Sequence, residues 1–228
     1  MSAGLSPGSH PGDETLLRYA AGTLPSGPRL VVQVHLSGCP ACRSAVAGFE
    51  AVGGALLEAE TPAATAPDAL SRALSRLDTP ALPPRGEAGP AVVRPRGLPD
   101  GLVLPPGVAL PAPLGSRRMG PMIAIAPGVR VGMVRLDEDP DAQVLLLRIG
   151  PGRAIPSHTH SGTEFTQIIC GRYGDDFGHY GPGDLVEADG DVDHTPRVEG
   201  TEDCICLVAF DGRIRFRGLL GVVTRPFL

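Results

Sequence analysis

The feature that most constrains this 228-residue chain is a dense motif between Gly152 and Gly171. It places His158 and His160 two residues apart and Glu164 four residues further along. Side chains two apart on a strand point to the same side of a sheet, so both histidines can enter the interior of a β-barrel. Glu164 follows a turn, from which its carboxylate can return to the same interior. The motif therefore predicts a metal site built by strands.

The sequence around this motif has the pattern of an all-β domain. From about residue 116, short apolar or alternating runs lie close together, and clusters of Gly, Pro and Asp separate them. Many short strands with such turn signals favour a barrel or a sandwich. The predicted strands are 129–136, 143–149, 164–170, 184–188 and 204–210.

These residues resemble the cupin superfamily, whose first motif is matched in full. The second cupin motif is matched with departures, because Asp189, Asp191 and Val198 stand where Pro, Gly and Asn are usual. The resemblance implies a double-stranded β-helix (a jelly roll) whose metal ligands are His158, His160, Glu164 and His194. Three histidines and one carboxylate accommodate Zn, Fe, Mn or Ni, so the ligands alone do not choose the metal.

A second candidate metal site lies near the N-terminus, where His35, Cys39 and Cys42 have the spacing H-x3-C-x2-C. The cysteines are predicted where a loop enters a helix, and unpaired N–H groups and the helix dipole at such a place lower a thiol's pKa. One nitrogen and two sulfur ligands suit tetrahedral zinc, and a closed structural site needs a fourth ligand. The only other histidine in this half is His10, which local sequence assigns equally well to a disordered terminus. A thioredoxin-like redox pair is the other interpretation of the two cysteines, but no βαβ pattern surrounds them.

The first third of the chain has helical periodicity. The predicted helices run from Asp13 to the Pro25–Pro28 break, over 28–37, from Pro40 to about Glu60, and from Pro67 to Leu77. The Pro-rich residues 79–115 predict a semi-rigid linker. We therefore expect an α+β protein of three parts, namely a helical zinc-binding domain (1–78), a linker (79–115) and a β-barrel domain (116–228).

Composition disfavours several classes of protein. The formal net charge is −5 and neither half carries a basic stripe, which disfavours direct binding to nucleic acid. No apolar run is long enough to span a membrane and the N-terminus lacks the pattern of a signal peptide, so the expected location is the cytoplasm. Cys170, Cys204 and Cys206 fall in predicted strands, where small buried thiols are common, and a redox role for the last two stays open.

The order of zinc motif, Pro-rich segment and cupin motif resembles the ChrR-type anti-sigma factors. Residues 17–24 (LRYAAGTL) are similar to the first-helix consensus of zinc-binding anti-sigma domains, and residues 39–43 (CPACR) to their second helix. The resemblance implies a structural zinc ion held by His10, His35, Cys39 and Cys42. It also implies a second metal ion in the cupin, which we expect to be zinc.

The same resemblance implies a function without catalysis. The helical domain would bind an extracytoplasmic-function sigma factor, one to one, and block its association with RNA polymerase. The cupin would release the sigma factor under oxidative or photooxidative stress such as singlet oxygen. One alternative is a metal-dependent, dioxygenase-like cupin enzyme with a helical appendage, which would need redox-active iron with an open position. Another is a cupin that binds a small ligand and uses its helices for a different protein partner.

Overall fold

The computed structural model describes residues 7–78, 97–155, 158–160, 162–189, 195–212 and 214–216, of which 78, 158–160 and 214–216 are described by their backbone. The helices are α1 (Asp13–Ala20), α2 (Ser26–Gly38), α3 (Pro40–Ala59), α4 (Ala69–Asp78) and α5 (Ala112–Gly115). The strands are β1 (Arg118–Met119), β2 (Ile123–Ala126), β3 (Val129–Arg135), β4 (Val144–Ile149), β5 (His158–His160), β6 (Thr163–Cys170), β7 (Tyr173–Asp175), β8 (Gly178–Tyr180), β9 (Leu185–Ala188), β10 (Arg197–Val198), β11 (Cys204–Asp211) and β12 (Ile214–Phe216).

The helical half follows the apolar pattern of the sequence, with one exception. Helices α2, α3 and α4 begin and end within two residues of the predicted bounds. The prediction that α1 continues to Pro25 is wrong, because α1 ends at Ala20. Gly22 adopts a φ of 71°, the left-handed conformation that stops a helix and that glycine reaches without steric cost. Among the described residues, no helix is both long and apolar enough to cross a membrane.

The β half is built on one large antiparallel sheet with the strand order β1-β3-β4-β11-β6-β9, and β2 also pairs with β3. Two smaller sheets, β10-β7-β8 and β12-β5, complete the strands of the described residues. The five predicted strands are confirmed as β3, β4, β6, β9 and β11, which lie side by side in the large sheet. The unpredicted strands include very short ones of two or three residues, too few to show a period.

Both faces of the large sheet are covered, which explains the continuous apolar runs of β4 and β11. Along β11, side chains alternate between two hydrophobic clusters. Ile205, Leu207 and Ala209 pack with the helices, whereas Cys206, Val208 and Phe210 pack on the opposite side. Helix α2 lies on the first face, where it contacts β11 and β6. The helices and the sheet therefore share one hydrophobic core.

Helix α2 approaches the sheet closely at Gly27, in its first turn. A Cβ atom built there would lie 3.2 Å from Val144 Cγ2 and 3.3 Å from Ala209 Cβ. Part of the segment expected to be a linker packs nearby, since Leu102 and Leu114 are buried in the same cluster and α5 contacts α2. The absence of a side chain at Gly27 thus sets how closely the helices dock on the sheet.

We predict that Gly27→Leu lowers the stability of the whole chain. The added side chain would overpack the contact with Val144 and Ala209, at a cost of about 1–3 kcal/mol. Gly48→Leu is the matched control, because a Cβ atom at Gly48 in α3 has no neighbour within 4 Å. That change should be neutral or stabilising, by up to about 0.8 kcal/mol from helix propensity. Urea unfolding of the two variants tests this, and equal midpoints would contradict it.

Candidate metal centre

The N-terminal cluster is assembled at the corner between α2 and α3. His35 lies one turn before the end of α2, and Cys39 is the N-cap residue of α3. The Cys39 Sγ accepts a hydrogen bond from the backbone N–H of Cys42 at 3.4 Å, as N-cap side chains do. Pro40 occupies the first helical position, where its fixed φ suits the helix and its missing N–H costs nothing. The spacing H-x3-C-x2-C therefore becomes a tight corner with three ligands on its inner side.

His10 approaches this corner from the segment before α1, so the four residues predicted as ligands come together. One ligand atom from each of His10, His35, Cys39 and Cys42 lies within 4.8 Å of every other. His10 Nδ1 lies 3.4 Å from His35 Nε2, 3.5 Å from Cys39 Sγ and 3.4 Å from Cys42 Sγ. His10 is exposed, whereas the other three are almost fully buried. The cluster is thus buried except at His10.

These distances fit a tetrahedral zinc ion. Bonds of about 2.3 Å to sulfur and about 2.0–2.1 Å to nitrogen separate two nitrogen ligands by about 3.3 Å, and nitrogen from sulfur by about 3.5 Å. The separations around His10 Nδ1 match both values. A single imidazole nitrogen has one proton or one lone pair, so it cannot hydrogen-bond to three such neighbours at once. A cation at the centre of the cluster satisfies all four atoms.

Burial favours the neutral forms of two of the ligands, His35 and Cys42, before a cation binds. Desolvation lowers the pKa of His35, which keeps its imidazole in the neutral form that ligates metal. Desolvation also raises the pKa of the Cys42 thiol to about 12, assisted by its hydrogen bond with Cys39. The expectation that the helix N-terminus lowers the pKa of these thiols is therefore wrong for Cys42, because burial and the neighbouring Cys39 raise its pKa. Metal binding at this thiol must displace its proton.

Of the four residues predicted to bind metal in the cupin, only Glu164 has a side chain among the described residues. Glu164 is buried, and its carboxylate accepts a hydrogen bond of 2.8 Å from the Thr166 hydroxyl. On β6 it shares a face with Ile168, which packs in the cluster on the far side of the sheet from the helices. The side chains of His158 and His160, and all of His194, lie outside the described residues. The metal site that joins these four residues stays a prediction.

Three further cysteines are buried and free within the β half. Burial raises the pKa of Cys170 to about 11. A hydrogen bond with Cys204, together with burial, raises the pKa of Cys206 well above its usual value. The thiol is thus the favoured form of both side chains at neutral pH, and thiols are weaker nucleophiles than thiolates.

The sequence did not indicate the residues that surround the two histidine ligands. Gln167 and Gly183 contact the outer nitrogen of His35, and Asp184 binds the segment that carries His10. The one available signal was a polar residue at position 167, directly before the apolar end of β6 (168–170), because a buried amide needs hydrogen-bond partners.

Two family models match this chain in the same order as its two motifs. A zinc-finger family matches residues 14–43, which hold His35 and both cysteines of the cluster. The ChrR cupin-like domain matches residues 119–212, which cover the large sheet and Glu164.

One known protein and one solved structure are similar to almost the whole chain. Anti-sigma-E factor ChrR from Cereibacter sphaeroides is 36% identical over 221 residues, which are 96% of each chain. A crystal structure of Rhodobacter sphaeroides SigE in complex with the anti-sigma ChrR matches with a TM-score of 0.67 and 33% identity. That match covers 90% of this chain and 100% of the other.

We predict that Cys39→Ser and Cys42→Ser each remove one zinc ion per chain. A serine hydroxyl does not ionise near neutral pH and replaces a thiolate poorly as a zinc ligand. Folding and metal binding are coupled at such sites, so both variants should also unfold at lower temperature. Cys170→Ser, a buried thiol outside the cluster, is the control that should keep its zinc. Inductively coupled plasma mass spectrometry measures the stoichiometry, and an undiminished zinc content in the first two variants would refute the assignment.

Proposed function

The chain belongs to the ChrR family of anti-sigma factors, and on this premise we propose that it blocks the association of an extracytoplasmic-function sigma factor with RNA polymerase. The similar protein is named an anti-sigma-E factor, and the matched crystal structure holds ChrR with SigE. Since the sequence match covers 96% of each chain, it includes both the metal corner and the β half. The chain is a protein-binding regulator rather than the enzyme that the cupin motif by itself allowed.

The observation that carries this proposal is a set of large, exposed apolar side chains on α3 and α4, which we call the α3–α4 surface. All residues of 51–68 and 70–77 are exposed. The large apolar side chains among them are between 52% and 79% exposed, and they are Val52, Leu56, Leu57, Leu70, Leu74 and Leu77. An exposed apolar region of this kind marks a site of protein interaction.

The spacing of the surface suits a helical partner. Leu70, Leu74 and Leu77 recur at i, i+4 and i+7, which places them on one side of α4. The apolar side of an amphipathic helix binds readily in a hydrophobic groove between helices of another protein. The chain's net charge of −5 also complements the basic DNA-binding surface expected of a sigma factor. These features favour a sigma factor as the occupant of the α3–α4 surface.

The metal corner would orient this surface. Helix α3 begins at Pro40, directly after Cys39, and continues without a break to Ala59. A zinc ion that joins Cys39 and Cys42 to His35 would fix the angle between α2 and α3. Because α2 is packed on the sheet, the exposed end of α3 would then project in a fixed direction. Zinc at the corner thereby has a structural role in recognition.

The β half supplies the candidate sensor. The cupin metal site formed by His158, His160, Glu164 and His194 would bind a second ion, which we expect to be zinc. Chemistry of singlet oxygen or related oxidants at this site would lead to release of the sigma factor. The helical part (1–78) would then inhibit the sigma factor, and the cupin (116–228) would sense the oxidant. The linker (79–115) would connect the two. All three would act in the cytoplasm, where the sigma factor meets RNA polymerase.

We predict that the wild-type chain abolishes sigma-dependent transcription in vitro at an equimolar ratio to its sigma factor.

Leu74→Glu and Leu77→Glu should each weaken the complex at least about tenfold, because burying an unpaired carboxylate costs more than about 1.4 kcal/mol. Phe177→Glu is the matched control, since Phe177 is 65% exposed but lies in the β half. Calorimetric titration measures the affinities. Unchanged transcription with the wild-type chain would refute the function, and equal affinities would refute the assigned surface.

We further predict that Glu164→Gln separates inhibition from release. Loss of the buried carboxylate should lower the metal content of the cupin while binding to the sigma factor stays unchanged. Illumination with a photosensitiser should then no longer release the sigma factor from the purified complex. Glu202→Gln, an exposed carboxyl change in the same half, should release it normally. Release from Glu164→Gln at the wild-type rate, with its cupin metal lost, would exclude that metal as the sensor.

A further inference from the structure

The outer nitrogen of His35 is held by the β half. His35 Nδ1 lies 3.1 Å from Gln167 Oε1 and 3.1 Å from the Gly183 carbonyl oxygen. Both neighbours are acceptors, so Nδ1 carries the proton and donates it to them. The lone pair of the neutral ring is then at Nε2, the atom that faces His10. The β half thus selects the tautomer of His35 that can bind metal at the corner.

Gln167 is itself fixed in the orientation that this role requires. Its side chain is 3% exposed, and its Nε2 donates to the Ile168 carbonyl oxygen at 3.1 Å. That bond directs Oε1 toward His35. A second partner of a metal-bound histidine commonly sets the orientation of its ring and its strength as a ligand. Gln167 is buried and fixed in orientation, and it contacts the ring of His35, so it can act as such a positioning residue.

His10 is also held by the β half, through the backbone on either side of it. The Asp184 Oδ1 atom accepts hydrogen bonds from the N–H groups of Gly8 at 2.6 Å and Ser9 at 2.9 Å. Ser9 pairs with Leu185 on the edge strand β9, since Leu185 N–H donates to the Ser9 carbonyl at 3.2 Å. The Ser9 hydroxyl donates to the Leu185 carbonyl at 2.9 Å.

The contact with β9 continues on the other side of His10. There the Gly12 N–H donates to Glu187 Oε1 at 3.1 Å. His10 therefore lies in a segment that runs beside β9 and is bonded to it both before and after the histidine. The buried Asp184 carboxylate is also tied to its own turn, because Oδ2 accepts from Gly181 N–H at 2.7 Å.

The two cysteine ligands are held differently. The hydrogen bonds described for Cys39 and Cys42 are to the corner itself and to His10. The four ligands therefore differ in their contacts, because both sulfurs are positioned within the helical half and both imidazoles are also held by the β half. We propose that the zinc site is a latch between the two halves, in which Gln167 and Gly183 position His35 while Asp184 positions the segment of His10.

A latch of this kind links metal binding to the docking of the two halves. If docking raises the zinc affinity by some factor, zinc must strengthen docking by the same factor. Loss of the positioning contacts of a metal ligand typically weakens metal binding about 10- to 100-fold. A disturbance in the turn of Gly183 and Asp184 would therefore reach the zinc site and the base of α3 without any contact to the α3–α4 surface. The inference requires zinc at the corner but does not require a sigma factor.

The first test measures zinc affinity in the full-length, zinc-loaded chain with a competing chromophoric chelator. Gln167→Leu keeps the approximate volume of the side chain but removes the acceptor for His35, so zinc should bind about 10- to 100-fold more weakly. Gln167→Glu keeps an acceptor for His35 but loses the bond to the Ile168 carbonyl, so it should bind zinc more tightly than Gln167→Leu does. Gln33→Leu makes the same change on α2 and is the matched control. The visible spectrum of cobalt-substituted protein should change for Gln167→Leu alone.

The second test needs no variant. In wild-type protein, removal of zinc should accelerate hydrogen exchange at the amides of Ser9 and Leu185, which join the halves.

If Gln167→Leu bound zinc as wild type does and lowered the melting temperature equally with and without zinc, Gln167 would be a packing residue only. Unchanged exchange at Ser9 and Leu185 after zinc removal would overturn the linkage. A chain purified without zinc at the corner would instead refute the metal site on which the latch depends.

Discussion

The approach of four ligand atoms at the α2–α3 corner is the interaction on which the helical half depends. Three of the four side chains are nearly inaccessible to solvent, and the described distances between them are those of a tetrahedral ion. Helices α1 to α3 are too few to enclose a large core of their own. They gain the rest of their burial by packing on one face of the sheet, in one cluster with Leu146, Phe165 and Leu207. Metal ligation and this shared core thus stabilise the same arrangement.

The spacing of the sequence predicted the parts of the site that are local, whereas His10 was assigned only through the family resemblance. His35, Cys39 and Cys42 fall within one helical corner, so their spacing alone indicated a metal site. The central strands could likewise be predicted, because β4 and β11 are buried on both faces and their sequences are almost wholly apolar. The early end of α1 was missed because Gly22, which lies inside the predicted helix, adopts a left-handed conformation that stops it. The thiol pKa of Cys42 was predicted in the wrong direction because burial is a tertiary property.

The contacts around the histidine ligands could not be predicted from local sequence. Gln167 is separated from His35 by 132 residues, and Asp184 from Ser9 by 175. Only the folded sheet brings them to the corner. Gly183 is also the first residue of the second cupin motif, whose histidine was predicted to bind metal, and its turn docks on the other half of the protein. Motifs that are far apart in the sequence therefore meet at one contact in the structure.

The surface assigned to the sigma factor is exposed, whereas the side chains at the metal corner are mostly buried. Helix α4 has ten residues and its described side chains are exposed, apart from Ala69. Helices of this length are marginal in water when nothing packs against them. The partner would therefore supply the burial that α4 lacks, and part of the binding free energy would be used to order it. A complex formed in this way would be readily reversed, since a change in the angle of α3 at the metal corner would move the two parts of the surface apart. A marginal α4 and a rigid corner would together suit the proposed regulator, which binds its partner and then releases it.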